Sequence, residues 1–177
     1  MRVVVTGSAG HLGEGLVRQL RAEGHEVVGI DVLASPFTTE VGSVLDGALL
    51  RRRLEGVDGV LHAATLHKQH VRTHSRRQFV DANVVGTLNL LEEAVAAGVS
   101  RFVFTSTTSA FGRAFSPPPG APAAWVTEAV PPIPRNVYGA TKTAAEDLCQ
   151  LFAQDHGLPC LVPRTSRGHP RSASAST

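Results

Sequence analysis

The chain has 177 residues, of which 42% are hydrophobic and 18% charged, a composition typical of one globular domain that buries its own core. Its formal charge of +2 is too small and too scattered for a nucleic-acid or membrane-surface protein, and no apolar stretch reaches the roughly 20 residues that cross a bilayer. The two cysteines fit no metal-ligand spacing and predict reduced thiols, so we expect a cytoplasmic protein with no nucleic-acid and no membrane partner.

The first apolar segment leads directly into three glycines spaced three residues apart. This pattern predicts a strand, a tight turn and the start of a helix. Gly7 would turn the chain, Gly10 would let the backbone approach a pyrophosphate, and Gly13 would let the helix pack closely on the strand. His11 and Leu12 lie between the last two glycines, at the predicted helix N-terminus. The turn is therefore a candidate site for the phosphates of a dinucleotide.

A second apolar segment, residues 26–31, ends in the carboxylate of Asp31. In dinucleotide-binding folds an acidic residue about 20 residues after the glycines accepts hydrogen bonds from the adenosine ribose. Asp31 would repel a 2′-phosphate, so the sequence favours NAD over NADP. A glycine-rich turn that binds no ligand is the alternative, and the position of Asp31 weakens it.

Five apolar segments are predicted as strands, at about residues 2–6, 26–31, 59–63, 101–105 and 159–163. Helices are predicted at about residues 11–23, 74–97 and 136–156. This alternation predicts an α/β fold, a doubly wound parallel sheet of the Rossmann type with helices on both faces. The proline-rich segment 116–134 is predicted to be a loop.

Tyr138 and Lys142 open the last predicted helix, and their spacing of four residues puts both side chains on one helix face. A tyrosine is a poor base at neutral pH unless a neighbouring ammonium lowers its pKa, and Lys142 is spaced to do so. The hydroxyl-rich segment 105–109 can supply a third hydroxyl. The alternative is an exposed lysine, a partly buried tyrosine and ordinary turn hydroxyls.

Together these motifs resemble the extended short-chain dehydrogenase/reductases, and within them the NAD-dependent epimerase/dehydratase group that includes UDP-glucose epimerases. The resemblance covers about residues 1–166. It rests on the turn from Thr6 to Gly13, on Asp31, on His62-Ala63-Ala64, on Asn83-Val84-Val85-Gly86-Thr87 and on Tyr138-x-x-x-Lys142.

The resemblance implies three catalytic residues. Tyr138 would be the base or acid, Lys142 would bind the nicotinamide ribose and tune Tyr138, and Thr107 would hydrogen-bond the reacting oxygen. The implied cofactor is NAD, and the implied small-molecule substrate is a UDP-sugar or another nucleotide sugar. Cofactor contacts are implied for Gly7, Gly10, His11, Leu12, Gly13, Asp31, Val44, Ala63, Ala64, Asn83, Tyr138 and Lys142.

The implied reaction removes a proton from a sugar hydroxyl while hydride passes to NAD, which gives a keto intermediate. Dehydratases commonly carry an acidic pair beside the catalytic hydroxyl residue, whereas this chain has Thr108 and Ser109 there. The resemblance therefore favours epimerase or simple dehydrogenase chemistry. It also implies a homodimer through the helices at about residues 74–97 and 136–156.

After Ser166 the family continues into a substrate-binding C-terminal lobe, whereas this sequence becomes rich in serine, alanine and arginine. That composition predicts a disordered tail over residues 167–177. We therefore expect one NAD-binding Rossmann domain over residues 1–166, without the substrate lobe. A noncatalytic NAD-binding module and an inactive truncated remnant stay open as alternatives.

His67, His70 and His74 have spacings of three and four residues, so on a helix they would share a face suited to zinc. No cysteine or carboxylate joins them, and we predict no metal site. The favoured interpretation is a solvent-accessible segment near the nicotinamide end of the cofactor, at the carboxyl edge of the sheet.

Overall fold

The computed structural model describes residues 1–120, 122 and 125–166, so the predicted disordered tail, residues 167–177, lies outside the described residues. Eight strands occur in this part of the chain: β1 (Arg2–Thr6), β2 (Glu26–Asp31), β3 (Glu40–Val41), β4 (Gly59–His62), β5 (Arg101–Phe104), β6 (Ser106–Thr107), β7 (Cys160–Leu161) and β8 (Arg164–Thr165). Six of them form one parallel sheet in the order β3-β2-β1-β4-β5-β7. β6 and β8 form a separate parallel pair.

The regular helices of the same part are α1 (His11–Ala22), α2 (Gly47–Leu54), α3 (Arg76–Val80), α4 (Gly86–Ala96) and α5 (Val137–His156). None of them combines the length and the apolar character that a bilayer crossing needs. The strand order reverses between β1 and β4, which confirms the predicted doubly wound fold. Ligands of such sheets bind at the carboxyl ends of the strands where this reversal occurs.

Alternate strand residues point to opposite faces of the sheet, and helices cover both faces. On one face Val4, Val28 and Phe102 pack with buried residues of α2, α4 and α5. On the other face Val3 packs with Val17 of α1. The prediction of helices on both faces is therefore confirmed.

The long helix predicted at about residues 74–97 is not one regular α-helix. A π-helical turn, Asp81–Val85, separates α3 from α4. The turn carries Asn83, whose side chain bonds to residues outside this helix. Apolar periodicity does not reveal one extra residue in a turn, which is why the sequence predicts an unbroken helix.

The last predicted strand, at about residues 159–163, is also shorter than expected. β7 has two residues and pairs only with β5. Pro159 and Pro163 flank it, and neither has a backbone N–H for a ladder bond. The proline carbonyls still bond: Pro159 accepts from the Phe102 N–H at 2.8 Å and Pro163 from the Ser106 N–H at 2.9 Å.

The imidazole of His62 is buried at the end of β4 between two threonine hydroxyls. Its Nδ1 lies 2.6 Å from Thr6 Oγ1 and its Nε2 lies 3.0 Å from Thr87 Oγ1. Thr87 donates its own proton to the Asn83 carbonyl, so it accepts from His62, and the ring is the neutral Nε2–H tautomer. Burial, and secondarily the charge of Lys142, lowers the pKa of His62 from 6.5 to about 3.

His62 should make the fold sensitive to acid. Between pH 6.5 and about 3 the unfolded chain binds a proton that folded His62 does not, so the free energy of unfolding falls as pH falls through this window. His62→Phe should cost about 2 kcal/mol at pH 7, because two buried hydroxyls lose a partner. It should also flatten the loss of stability between pH 7 and pH 4, as measured by urea unfolding. The exposed His156, changed to Phe, is the control, and equal pH dependence in wild type and His62→Phe would contradict the assignment.

Candidate cofactor and catalytic site

The glycine turn after β1 brings three backbone segments together. Gly7 has φ +75°, and a Cβ on it would lie 2.6 Å from the Ala64 amide nitrogen. A Cβ on Gly13 would overlap the Gly7 carbonyl. Gly10 is the N-cap of α1 and supplies no side-chain cap, so the first amides of the helix keep their capacity to bind an anion. The turn therefore fits a pyrophosphate.

His11 and Leu12 are the first two residues of α1, and both are exposed. They lie beside the turn, as expected for residues whose backbone meets the phosphates. Ala63 donates its N–H to the Thr6 carbonyl at 3.2 Å and so extends the contact between β1 and β4 past the strand ends. His11, Leu12 and Ala63 are therefore adjacent to the glycine turn.

A cavity of about 370 Å³ opens beside the turn, between the ends of β2 and β4. Asp31, Val44 and Ala64 line it, together with the apolar side chains of Ile30, Val32, Leu45 and Leu66. Asp31 accepts the Ala9 N–H at 3.0 Å on one oxygen and the Leu33 N–H at 2.9 Å on the other. Each oxygen keeps a lone pair, so Asp31 can still accept from ribose hydroxyls. The size and lining suit an adenosine.

Asn83 lies behind this cavity. Its Oδ1 accepts from the Leu66 N–H at 2.7 Å and from Thr65 Oγ1 at 3.0 Å. Its Nδ2 donates to the Leu66 carbonyl and to Thr141 Oγ1, each at 3.1 Å. The amide is therefore satisfied within the protein, and Asn83 ties the loop after β4 to α5.

Tyr138 and Thr107 share a second cavity, of about 510 Å³. Asn136 caps α5 by accepting the Gly139 N–H at 3.0 Å on its side chain. A Cβ on Gly139 would lie 2.7 Å from the Ser109 carbonyl oxygen, so the start of α5 lies directly against the segment that follows β6. This approach places Tyr138 and Thr107 together in the lining of one cavity.

The charges of this site differ in one respect from expectation. Burial raises the pKa of Tyr138, and the hydrogen bond with Thr107 opposes that rise. Burial also lowers the pKa of Lys142 to about 7, against the charges of Cys149 and Glu146. Lys142 Nζ lies 3.8 Å from the centroid of the Phe104 ring. The sequence predicts that Lys142 lowers the pKa of Tyr138, whereas in the structure burial raises it.

Two further residues, one in contact with Tyr138 and one on the same helix, were not predicted as site residues. The ring of His67 lies 5.0 Å from that of Tyr138, centroid to centroid, and Glu146 lies on α5 one turn beyond Lys142. The signal for Glu146 is present in the sequence, as a carboxylate continuing the spacing of four. For His67 the only signal in the sequence is that it follows the end of β4 closely.

The three histidines do not form a joint site. His70 and His74 are in ring contact at 5.2 Å, whereas His67 faces Tyr138. In the described part of the chain, no group of three or more His, Cys, Asp and Glu residues is arranged to hold a metal ion.

Comparisons with known proteins agree on one family. Residues 3–168 match the NAD dependent epimerase/dehydratase family. The UDP-glucose 4-epimerase of Streptomyces lividans is 33% identical over 168 residues, which cover 89% of this chain and 49% of that protein. A 3-beta-hydroxysteroid dehydrogenase of Mycolicibacterium neoaurum is 36% identical over 118 residues, which cover 61% of this chain and 32% of that protein.

A solved structure extends the likeness to the fold. It is a short-chain dehydrogenase/reductase superfamily protein of Agrobacterium tumefaciens with bound NAD, 34% identical, with a TM-score of 0.79. The match covers 93% of this chain and 48% of that one. This chain thus spans about half the length of that structure and of the Streptomyces epimerase.

Two glycines of α1 give a matched test of the phosphate turn. Gly13→Ala should lower the free energy of unfolding by about 1–3 kcal/mol and weaken NAD binding at least about tenfold, because its Cβ forces the turn apart. A Cβ on Gly15 would have no atom within 4 Å. Gly15→Ala should therefore raise the free energy of unfolding by about 0.5–1 kcal/mol and leave NAD binding unchanged. Calorimetric titration with NAD and urea unfolding measure both effects. Equal behaviour of the two variants would contradict the close approach.

Proposed function

This chain belongs to the NAD-dependent epimerase/dehydratase family, whose cofactor is NAD, and we propose that it performs epimerase or dehydrogenase chemistry on a nucleotide sugar. One observation carries the proposal: Tyr138 and Thr107 line the same cavity, which lies next to the one suited to adenosine. The loop after β4 lines both cavities, with Ala64 in the first and His67 in the second.

The residues fit NAD along this path. The first turn of α1 and the glycine turn would hold the pyrophosphate, Asp31 and Val44 the adenosine, and Tyr138 the nicotinamide ribose. Lys142 is buried and lines neither cavity, and its contact with that ribose stays a prediction. Bound there, NAD supplies a hydride acceptor and, in the return direction, a hydride donor.

Tyr138 and Thr107 would handle the proton. Both residues line one cavity, so Thr107 can orient a substrate oxygen there while Tyr138 exchanges a proton with that oxygen. Burial keeps Tyr138 protonated, which suits an acid that returns the proton. As a base, Tyr138 would need its phenolate stabilised by the Thr107 hydroxyl and by the protonated fraction of Lys142.

The lining of the second cavity supports a sugar over a sterol. All nine of its described lining residues carry polar side chains: His67, Lys68, Gln69, Thr107, Thr108, Ser109, Tyr138, Thr165 and Ser166. A fused hydrocarbon ring system needs an apolar lining, whereas a sugar needs many hydrogen-bonding groups. The steroid dehydrogenase likeness is therefore the weaker guide to the substrate, and a UDP-sugar is the stronger candidate.

Three variants test the proposed chemistry. Tyr138→Phe should lower the rate of UDP-glucose and UDP-galactose interconversion, or of their oxidation with NAD, at least about 100-fold, because the acid/base group is lost. Thr107→Val should also lower it strongly, while Thr107→Ser, which keeps the hydroxyl, should retain most of the rate. NAD affinity measured by calorimetry should change little in all three.

The outcome also separates an enzyme from a noncatalytic NAD-binding module. Turnover that survives Tyr138→Phe unchanged would refute the catalytic assignment. A folded wild-type chain that binds NAD but turns over neither UDP-sugar nor a sterol would favour the module.

A second copy of the chain is the proposed partner, through the surface formed by α4 and α5. Exposed apolar side chains support it: Val80 at the end of α3, Val85 in the π-helical turn before α4 and Leu151 on α5 are 40%, 37% and 47% exposed. The pairing would bury them.

Light scattering after gel filtration tests this pairing. Leu151→Glu on α5 should convert a dimer into a monomer, because a carboxylate at a buried apolar contact is costly. Leu161→Glu, on the edge strand β7 and 66% exposed, is the matched control and should leave the dimer intact. A wild-type monomer at micromolar concentration would overturn the proposal.

A further inference from the structure

Glu146 is a buried carboxylate on the helix that carries Tyr138 and Lys142. It is 8% exposed, and it follows them at successive spacings of four residues on the same face of α5. It does not line either of the two cavities assigned to cofactor and substrate. A buried charge outside the site needs a strong partner, and its partners point to its role.

Three hydrogen bonds from one guanidinium and one from a hydroxyl satisfy the Glu146 carboxylate. Arg164 Nε lies 3.1 Å from both oxygens and Arg164 Nη2 lies 2.6 Å from Oε2. Ser106 Oγ donates a short hydrogen bond to Oε1. The guanidinium also lies over the Phe111 ring, with Cζ 4.5 Å from the centroid.

These partners belong to the pair of two-residue strands outside the main sheet. Ser106 of β6 lies opposite Arg164 of β8, and Thr107 lies opposite Thr165. Thr165 Oγ1 also donates to the Ser106 carbonyl at 3.0 Å. Glu146 therefore bonds to both strands at once, one residue before Thr107 and one residue before Thr165.

The contacts join the two halves of the catalytic pair. Tyr138 lies on α5, whereas Thr107 lies on β6, and Ser106 is the residue directly before it. A strand of two residues has few ladder bonds of its own. The bonds from Glu146 are charge-assisted, which makes them about twice as strong as neutral ones.

We propose that Glu146 is a positioning residue, which locks β6 and β8 onto α5 through Ser106 and Arg164 and so holds Thr107 beside Tyr138 in the cavity that both line. Its catalytic consequence rests on the proposed function, whereas its effect on the position of Thr107 relative to Tyr138 does not. Arg164 is the counter-ion that keeps the carboxylate charged and oriented.

A spectroscopic measurement can follow the ionisation of Tyr138 directly, because Tyr138 is the only tyrosine of the chain. The near-ultraviolet absorbance of phenolate, followed against pH, therefore reports on Tyr138 alone. Thr107→Val removes the hydrogen bond that favours the phenolate, so it should raise the pH at the midpoint of the Tyr138 titration by at least about 0.5 pH unit. Glu146→Gln should raise it in the same direction, although loss of a negative charge by itself would lower it.

A double variant separates positioning from electrostatics. Glu146 also raises the pKa of Lys142, so an effect of Glu146 that does not pass through Thr107 must be separated from positioning. Glu146→Gln combined with Thr107→Val should show no further rise over Thr107→Val, because both changes act through the same hydroxyl. Additive rises would show that Glu146 acts on Tyr138 by a route other than the Thr107 hydroxyl and would overturn the proposal.

Two further variants complete the experiment. Ser106→Ala breaks the hydrogen bond between Glu146 and β6 but keeps the ion pair of Glu146 with Arg164. It should therefore raise the midpoint of the Tyr138 titration. This variant decides the question if circular dichroism shows that Glu146→Gln does not fold. Asp147→Asn, the neighbouring exposed carboxylate, is the control and should leave the midpoint unchanged. The proposal would be overturned if the Tyr138 titration midpoint of Ser106→Ala equals that of the wild type while the midpoint of Thr107→Val is raised.

The kinetic arm uses the same variants. Glu146→Gln should lower kcat about tenfold or more, with NAD affinity and the KM for the UDP-sugar within about twofold, because misplacement by about 1 Å is costly to the reaction. If wild type shows no turnover, the proposed function fails, while the absorbance titration still decides the role of Glu146.

Discussion

The structure depends on a meeting of backbones at the carboxyl end of β1, where side chains are excluded. Gly7 lies against the Ala63–Ala64 backbone, and α1 lies against the Gly7 carbonyl at Gly13. These approaches set the positions of β1, β4 and α1 relative to one another. They also leave the first amides of α1 uncapped beside a cavity that Asp31 lines. Packing and the proposed anion binding thus impose the same requirement on the same three glycines.

Polar groups buried next to this meeting point give the site its rigidity. His62 bonds to threonines of β1 and α4, and Asn83 bonds to the loop after β4 and to α5. Each polar side chain thereby joins two elements that the hydrophobic core alone would allow to slide. Such groups are costly to bury unless every bond is made, so their satisfaction specifies one arrangement of the elements.

Much of this was accessible from sequence, for identifiable reasons. The alternation of strands and helices predicts the fold class. The spacing of the three glycines, which has a steric cause, predicts the glycine turn after β1. Val44 and Ala64 line the expected cavity, but Asn83 lies behind it and supports the loop that lines it. The π turn at Asp81–Val85 leaves the apolar pattern almost unchanged, so periodicity could not reveal it. The partners of Glu146 come from residues distant in sequence, Ser106 and Arg164, which only the tertiary structure brings together.

The proposed catalytic pair, Tyr138 and Thr107, lies where the main sheet no longer sets positions. The ladder between β4 and β5 ends with the Thr105 N–H bonded to the His62 carbonyl at 3.0 Å, and the chain then pairs with β8 instead. Two-residue strands constrain their ends weakly, so side-chain bonds must supply the missing order. A carboxylate that bonds to both short strands from α5 supplies that order without entering the cavity. This arrangement leaves the cavity lining available to hydroxyl and amine groups that can face a polar substrate.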